Sequence, residues 1–203
     1  MWKTVGAALL SVVAVAAAQA TESPIEGYGI EPIEWEFDPG TTGTGSSVRL
    51  NGTVEEVWLQ LLAINPSVGE VFKSNIIAST ELAAAELAGS SLQKRATFAQ
   101  HNCYNFGICK TGAIRSGINY LRGIGGQPTN GPGPGNCGRV SCSENSGIWW
   151  CNDSASSKNL SSFASIADGA QWIVDRCNYG CDYTGGQAFH ETSWNVIVRP
   201  NSC

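Results

Sequence analysis

The sequence predicts an α+β fold for its C-terminal half, a small disulfide-rich α/β sandwich in which two helices pack on a mostly antiparallel sheet. Three observations favour this fold class. All eight cysteines lie between Cys103 and Cys203. Two stretches of this half repeat apolar residues at helical spacing, and other stretches have the alternation and the β-branched or aromatic residues of strands. We expect a signal peptide and a pro-segment to precede the sandwich.

The N-terminus has the pattern of a secretory signal peptide. Lys3 precedes an apolar run at residues 5–18, and Ala18-Gln19-Ala20 supplies a small-residue cleavage site after Ala20. This run is too short to cross a bilayer, which takes roughly 18 or more apolar residues, and no other run approaches that length. A buried N-terminal helix is the alternative interpretation. We expect a secreted, extracellular protein without stable membrane insertion.

The dipeptide Lys94-Arg95 divides the rest of the chain. Residues 21–95 are free of cysteine and carry eleven acidic against four basic residues, whereas residues 96–203 carry six against seven. The overall charge of −5 therefore comes from the first segment. A Lys-Arg pair at such a boundary resembles the site cut by the dibasic processing protease of the fungal secretory pathway. An ordinary solvated pair is the alternative to a mature chain that begins at Ala96.

The pro-segment, residues 21–95, divides into two parts. Residues 21–52 are rich in Gly, Pro, Ser, Thr and Glu, so we expect them to be loose. From Val54 onward apolar residues recur at helical spacing, Thr53 and Glu56 fit a capping box, and residues 79–87 favour a helix. The apolar stripe predicts a folding aid or a mask for the mature surface. A mere spacer is the alternative.

The cysteines of the mature half predict a disulfide scaffold. Eight cysteines in 108 residues of a secreted chain indicate four bridges. Each bridge is expected to add roughly 2–4 kcal/mol to the stability of a domain with a small core. Zinc binding is the competing interpretation, but the half has no Cys-x2-Cys pair and only His101 and His190 could assist. We therefore predict no metal and no other cofactor.

Apolar periodicity places two helices in the mature half. Residues 111–122 put Ile114, Ile118 and Leu121 on one face, which leaves Arg115 and Arg122 together on the polar side. Residues 162–177 keep the helical period for four turns and carry Cys177 into the core on the buried stripe. Between the helices, the Gly- and Pro-rich residues 123–136 are predicted to form a loop.

Three strands complete the predicted sheet, at residues 139–143, 147–151 and 192–199. The first two are separated by Glu144-Asn145-Ser146, which suggests a hairpin. Trp149 and Trp150 are adjacent, so we expect one in the core and the other nearer the surface. The chain also contains three sequons for N-glycosylation, at Asn51, Asn152 and Asn159.

These features resemble a known family of toxins. The shared elements are the Asn102-Cys103 opening with Cys109 six residues on, the helix ending in Cys177 with Cys181 just after it, and the strand from Trp194 to Val198 that runs to Cys203. They look like the virus-encoded killer toxins of smut fungi, of the killer protein four type, and their fungal genomic relatives. The resemblance covers residues 96–203 and none of the pro-segment.

The resemblance implies a compact sandwich and a specific pairing of the cysteines, which sequence alone cannot choose among 105 possibilities. Two differences from the smut toxin are clear. One further bridge of that toxin has no counterpart here, and the toxin lacks the dibasic-cleaved pro-segment that is predicted for this chain. The implied pairs are Cys103 with Cys177, Cys109 with Cys181, Cys142 with Cys203, and Cys137 with Cys151.

The resemblance also implies a function. Proteins of this family are secreted toxins or effectors, and the founding member inhibits the growth of competing fungi by interfering with calcium uptake. Its activity depends on a lysine just ahead of the cysteine similar to Cys142, where this chain has Arg139 three residues before. We expect a monomer that acts on a cell-surface target such as a calcium channel of fungal or plant cells. The alternative is that Arg139 is an ordinary surface arginine. Lys110, Arg115 and Arg122 are further basic residues that could widen a cationic patch.

Two other functions remain open. Small secreted fungal ribonucleases use His, Glu and Arg, and His101, His190, Glu191 and Arg139 are the right residue types. His190 and Glu191 are neighbours near the start of a strand, however, where they would point apart, so we predict neither catalysis nor nucleic-acid binding. The other alternative is a host-directed effector that binds plant cell-wall or membrane components through surface tryptophans.

Overall fold

The computed structural model describes residues 22–74, 77 and 98–203. The predicted signal peptide with its cleavage site at Ala20, the helix predicted at residues 79–87 and the Lys94-Arg95 pair lie outside these residues. The helices are α1 (Pro39–Thr42), α2 (Val54–Ile64), α3 (Thr111–Gly123) and α4 (Ala164–Arg176), and residues 68–74 are also helical. The strands are β1 (Gly29–Ile30), β2 (Glu34–Phe37), β3 (Val48–Asn51), β4 (Phe98–Cys103), β5 (Cys109–Lys110), β6 (Gln127–Asn130), β7 (Asn136–Ser143), β8 (Ser146–Asn152), β9 (Lys158–Asn159), β10 (Asn178–Tyr179), β11 (Tyr183–Thr184), β12 (Gly186–His190) and β13 (Trp194–Pro200).

The main sheet has six strands in the order β1-β7-β8-β13-β12-β4. Every neighbouring pair is antiparallel except β1 and β7, which run parallel. Helices α3 and α4 pack against each other, and their apolar faces share one core with the sheet. The predicted α+β fold, an antiparallel sheet with two helices on it, is confirmed, and both helices lie within two residues of their predicted bounds.

Strands β7 and β8 form the predicted hairpin. Its turn is Glu144-Asn145, with φ angles of 46° and 56°, while Ser146 already pairs with Ser143. Two consecutive positive φ values between paired antiparallel strands are typical of a type I′ turn, which an asparagine tolerates better than most residues. The turn therefore fixes the register of the hairpin, and both strands extend beyond their predicted ends.

The two faces of the main sheet bury different residues. Trp149 and Trp150 point to opposite faces of β8 as predicted, Trp150 toward the helices and Trp149 toward Ile197 on the other face. Both side chains are 0% exposed. The expectation that one tryptophan would lie near the surface is therefore wrong. Its physical reason is that Tyr28 and Phe106 pack on the second face and cover it.

Residues 22–52 are folded, contrary to the expectation of a loose segment. Strand β2 lies between β3 and β6 in a second sheet, β3-β2-β6-β9, which joins the N-terminal segment to the C-terminal half. Trp35 and Phe37 are buried, whereas Glu34 and Glu36 face outward and form ion pairs with Arg49 on β3. The prediction failed because it relied on the polar composition of the segment. It overlooked the alternation of polar and apolar residues at Glu34–Phe37, which is typical of a strand.

Helix α2 confirms the predicted capping box. The carboxylate of Glu56 accepts a hydrogen bond of 2.8 Å from the backbone amide of Thr53, the N-cap residue. Val54, Val57 and Leu61 are all 0% exposed and line the face that packs toward β7 and α3. The N-terminal segment thus contributes both strands and a helix to the fold. No helix within residues 22–74 or 98–203 is long and apolar enough to cross a membrane.

Three disulfides are present, and all three are pairs that the resemblance implies. The structure joins Cys103 to Cys177, Cys137 to Cys151, and Cys142 to Cys203.

The fourth implied pair is absent, because Cys109 and Cys181 are free. Cys109 on β5 lies opposite Thr184 of β11, whereas Cys181 precedes Thr184 by three residues, a length of about 10 Å in extended chain. A disulfide requires Cα atoms within about 7 Å. Cys109 is buried, whereas Cys181 is exposed in the turn between β10 and β11. The expectation of a fourth bridge is corrected accordingly.

Candidate functional site

Two of the four predicted basic residues have acidic partners. Lys110 Nζ lies 3.0 Å from Glu144 Oε2, and Arg122 Nη2 lies 3.0 Å from Asp168 Oδ1. Lys110 is the N-cap of α3 and Arg122 lies in its last turn, so about 18 Å of helix separates them. The structure therefore does not bring Lys110 and Arg122 into one cationic surface.

Arg139 and Arg115 lie in different surroundings. The guanidinium of Arg139 donates a 2.9 Å hydrogen bond to the backbone carbonyl of Ser202, beside the Cys142–Cys203 disulfide. Arg139 therefore holds the C-terminal tail against β7. Arg115 is exposed on α3.

An exposed, mainly aromatic surface lies on the small sheet β10-β11-β5. It consists of Tyr104, Tyr179, Tyr183 and Lys110, which we call the tyrosine surface. The three tyrosines are 41%, 56% and 45% exposed. Tyr183 pairs directly with Tyr179 on one side and with Lys110 on the other in the sheet β10-β11-β5, so their side chains share a face. The ring of Tyr104 meets that of Tyr179 edge to face, with centroids 5.7 Å apart.

Local structure fixes the hairpin that carries two of these tyrosines. Gly180 and Cys181 adopt positive φ angles of 61° and 68° in the turn, and the Asn178 side chain accepts a 3.1 Å hydrogen bond from the Cys181 amide. At the base, the buried hydroxyl of Thr184 donates to the Cys177 carbonyl at 3.0 Å. Because Cys177 is also held by a disulfide, the hairpin is attached rigidly to the end of α4.

Tyr104 is fixed in the same region. Its hydroxyl donates a 2.9 Å hydrogen bond to the Asn178 carbonyl, and its backbone has a φ of 65°. A rigid aromatic side chain supplies contact area at a low cost in conformational entropy. The tyrosine surface is therefore suited to bind a partner without rearrangement.

The charge of Lys110 is compensated at this surface. The hydrogen bond to Glu144, and the attraction of its carboxylate, hold the pKa of Lys110 above its usual value. The surface thus combines aromatic rings and hydroxyl groups with one ion pair. Such a set can stack on and hydrogen-bond to a ligand or a protein partner.

Sequence reasoning missed this surface because it assigned the exposed role to tryptophan. Trp35, Trp149, Trp150 and Trp194 are at most 1% exposed. The alternative of an effector with surface tryptophans is therefore corrected for these four residues. The spacing of two tyrosines around Gly180 is the one pattern that could have indicated an exposed aromatic turn.

The residues considered for a ribonuclease do not converge. His190 on β12 stacks on Trp194, with centroids 4.4 Å apart, and its Nδ1 lies 2.9 Å from the Thr192 hydroxyl. Arg139 lies on β7, three strand spacings from β12, which is about 14 Å across the sheet. Glu191 is exposed beyond the end of β12.

His101 lies near two cysteine sulfurs. A ring nitrogen of His101 and the sulfur atoms of Cys103 and Cys177 all lie within 4.8 Å of one another. Those two sulfurs form a disulfide, and only a thiolate sulfur binds a metal ion well. The grouping therefore offers one ligand rather than three.

The three sequons differ in the exposure of their asparagines. Asn152 is 0% exposed, and its side-chain nitrogen donates to the carbonyls of Gly131 and Ser156 at 2.8 Å each. A glycan on that nitrogen is incompatible with this packing, so the prediction of a candidate site at Asn152 is wrong. Asn51 and Asn159 are exposed and stay candidates.

Comparison with known protein families, with curated proteins and with solved structures found no match for this chain. The resemblance to smut-virus killer toxins therefore stays a prediction that rests on the cysteine order and the terminal strand.

Proposed function

We propose that this chain is the precursor of a secreted, killer-toxin-like protein or effector that inhibits the growth of competing or host cells. It acts without catalysis, by binding a target on the cell surface through the tyrosine surface. The rigid exposure of Tyr104, Tyr179 and Tyr183 is the observation that carries this proposal. Tyrosine is among the residues that contribute most binding energy at protein interfaces.

Secretion is supported by the cysteine chemistry. Three disulfides within the last 101 residues are typical of a protein that folds in an oxidising compartment. They also fix the parts on which the tyrosine surface depends, since the Cys103–Cys177 bridge ties the strand before Tyr104 to the helix before Tyr179. The same bridges suit a protein that must persist outside the cell.

Two kinds of target fit the tyrosine surface. A calcium channel is the target that the resemblance suggests, and Arg139 then acts indirectly, because its guanidinium holds the C-terminal tail. A component of the cell wall is the second candidate. It is favoured by the exposed tyrosine rings, which can stack on a sugar, and by the ion pair between Lys110 and Glu144, which leaves the surface with little net charge.

A growth assay tests the proposal and separates the two targets. The full chain is produced oxidised through a secretory pathway and applied to growing hyphae and to plant roots, with and without excess calcium chloride. We expect inhibition, and relief by calcium would support an effect on calcium entry. Inhibition that calcium leaves unchanged would favour the cell-wall target.

The matched variants are Tyr179→Ala with Tyr183→Ala, and Leu59→Ala with Val71→Ala. The second pair removes apolar side chains that are 68% and 56% exposed on the N-terminal segment. We expect Tyr179→Ala with Tyr183→Ala to abolish inhibition, and Leu59→Ala with Val71→Ala to leave it unchanged. Absence of inhibition by the wild-type protein in both organisms would overturn the proposed function.

A further inference from the structure

The N-terminal segment of this precursor has the contacts of a subunit. We infer that residues 22–74 stay bound to residues 98–203 as a separate, non-covalently attached chain after cleavage at Lys94-Arg95. This inference rests on the processing step of the proposed function. It goes beyond that function because it makes the secreted product a two-chain protein.

The first contact is strand addition. Strand β1 pairs in parallel with β7, the edge strand of the sheet that the C-terminal half forms by itself. The backbone amide of Gly29 donates to the Gly135 carbonyl at 2.6 Å, and the backbone amide of Glu31 donates to the Cys137 carbonyl at 3.0 Å. An unpaired edge strand exposes backbone groups that bind other strands, so loss of β1 would uncover an aggregation-prone edge. On the far side, β2 likewise pairs with β6.

The second contact is a shared core. Six apolar side chains of the segment are at most 1% exposed and belong to the same cluster as the helices α3 and α4. The indole of Trp35 stacks on Phe163 with centroids 3.5 Å apart. Removal of the segment would therefore expose a contiguous apolar surface, which soluble monomers rarely show. The six residues are Ile33, Trp35, Phe37, Val54, Val57 and Leu61.

The third feature is steric fit at a glycine of the C-terminal half. At Gly138 the space that a Cβ would occupy is filled by the Ile33 side chain, and the Glu31 carbonyl would lie 2.8 Å from it. The strand β7 therefore accepts the N-terminal segment at a distance that only glycine allows.

Polar groups complete the interface on both faces of the hairpin β7–β8. On the helix side, the Glu55 carboxylate accepts from the Ser141 hydroxyl at 2.6 Å and from the Cys142 amide at 3.1 Å. On the other face, the Tyr28 hydroxyl donates to Asp153 at 3.1 Å. Burial, and then the nearby Asp153 carboxylate, raise the pKa of Tyr28. The segment therefore holds the hairpin from both sides.

No covalent bond would remain after cleavage. The segment contains no cysteine, so every disulfide of the chain lies within the C-terminal half. Attachment would depend only on the strands, the core and the hydrogen bonds described above. The partner of this surface is thus the precursor's own N-terminal segment.

The experiment uses the full chain, secreted and oxidised, in its natural form and in a variant whose residues 91–97 are replaced by the recognition sequence of a site-specific protease. After complete cutting, size-exclusion chromatography and native mass spectrometry should show one species that contains both chains. Denaturant without reductant should separate them. Elution of the cut chains as two species would overturn the inference.

The engineered site makes the two failures distinguishable. If the natural protein is secreted uncut, the processing step of the proposed function is wrong, while the engineered cut still tests retention. Glu55→Gln should speed release of the cut segment on dilution by about tenfold relative to the wild type. Glu70→Gln, an exposed carboxylate on the same segment, is the control and should leave release unchanged. Equal release by both variants would contradict the role given to the Glu55 contacts.

Discussion

The indole of Trp35 stacks almost parallel on the ring of Phe163, with an interplanar angle of 10°. Trp35 lies in the acidic segment before the Lys94-Arg95 pair, and Phe163 lies at the start of α4. The indole nitrogen donates a 2.9 Å hydrogen bond to the Gly52 carbonyl, so its burial leaves no unpaired group. The acidic segment therefore supplies one of the largest side chains of the core.

Substitution of Trp35 by alanine should lower the free energy of unfolding by about 3–5 kcal/mol, because it removes a buried aromatic side chain and leaves a cavity. Denaturant unfolding of the oxidised, uncut chain measures this loss. Leu59→Ala, at a side chain that is 68% exposed, is the control and should change stability by about 0.5 kcal/mol or less. Equal effects of the two substitutions would show that Trp35 is not in the core.

Glu55→Gln should lower the free energy of unfolding by about 1–3 kcal/mol, because it puts an NH2 group in place of one acceptor oxygen and removes the charge that strengthens both hydrogen bonds. Those bonds come from the Ser141 hydroxyl and the Cys142 amide. The same unfolding measurement applies, with Glu70→Gln as the control. A loss for Glu55→Gln no larger than that of the control would contradict the described contact.

The fold of the C-terminal half could be predicted largely from periodicity. Both helices and the hairpin follow from apolar spacing, because long periodic segments define one buried face. The position of residues 22–52 could not, since Trp35 packs on Phe163 and β2 pairs with β6, both of which are distant in sequence. Their local composition is that of a loose chain, and only tertiary pairing makes it a strand.

The candidate site was harder to predict than the fold. Arg139 was identified from its position relative to Cys142, and Lys110, Arg115 and Arg122 as further basic residues, but sequence could not show that Glu144 pairs with Lys110. Tyr104 and Tyr179 are 75 residues apart and meet only because a disulfide and a short sheet bring their elements together. Exposure of an aromatic side chain depends on such distant contacts.

The two free cysteines should differ in reactivity. Cys181 is exposed and should react with a thiol reagent in the native protein at about pH 8, whereas Cys109 should react only after denaturation. Burial raises the pKa of the Cys109 thiol to about 11, which keeps it protonated. Intact-mass analysis counts the labelled thiols, and Cys181→Ser should remove the native label. No labelled thiol in the denatured, unreduced protein would instead demonstrate a fourth disulfide.

His190 should make the folded state sensitive to acid. Burial lowers the pKa of His190 below 6.5, its ordinary value, and Lys158 lowers it further while Glu191 opposes this shift. The unfolded chain therefore binds a proton first as the pH falls below about 6.5, so the free energy of unfolding should decrease there.

Unfolding measured across this pH range tests the effect of His190. His190→Gln should flatten the decrease. Identical slopes for the wild type and His190→Gln would rule out the predicted contribution of this histidine.

The proposed function depends most on the tyrosine surface as the part of the protein that binds a target cell. Binding of the oxidised, secreted protein to intact fungal and plant root cells, measured over a range of protein concentrations, tests it most directly. We predict saturable binding that the double substitution Tyr179→Ala with Tyr183→Ala weakens by about tenfold or more, while Leu59→Ala with Val71→Ala leaves it unchanged. Equal binding by the wild type and the tyrosine variant would contradict the proposed role of the tyrosine surface.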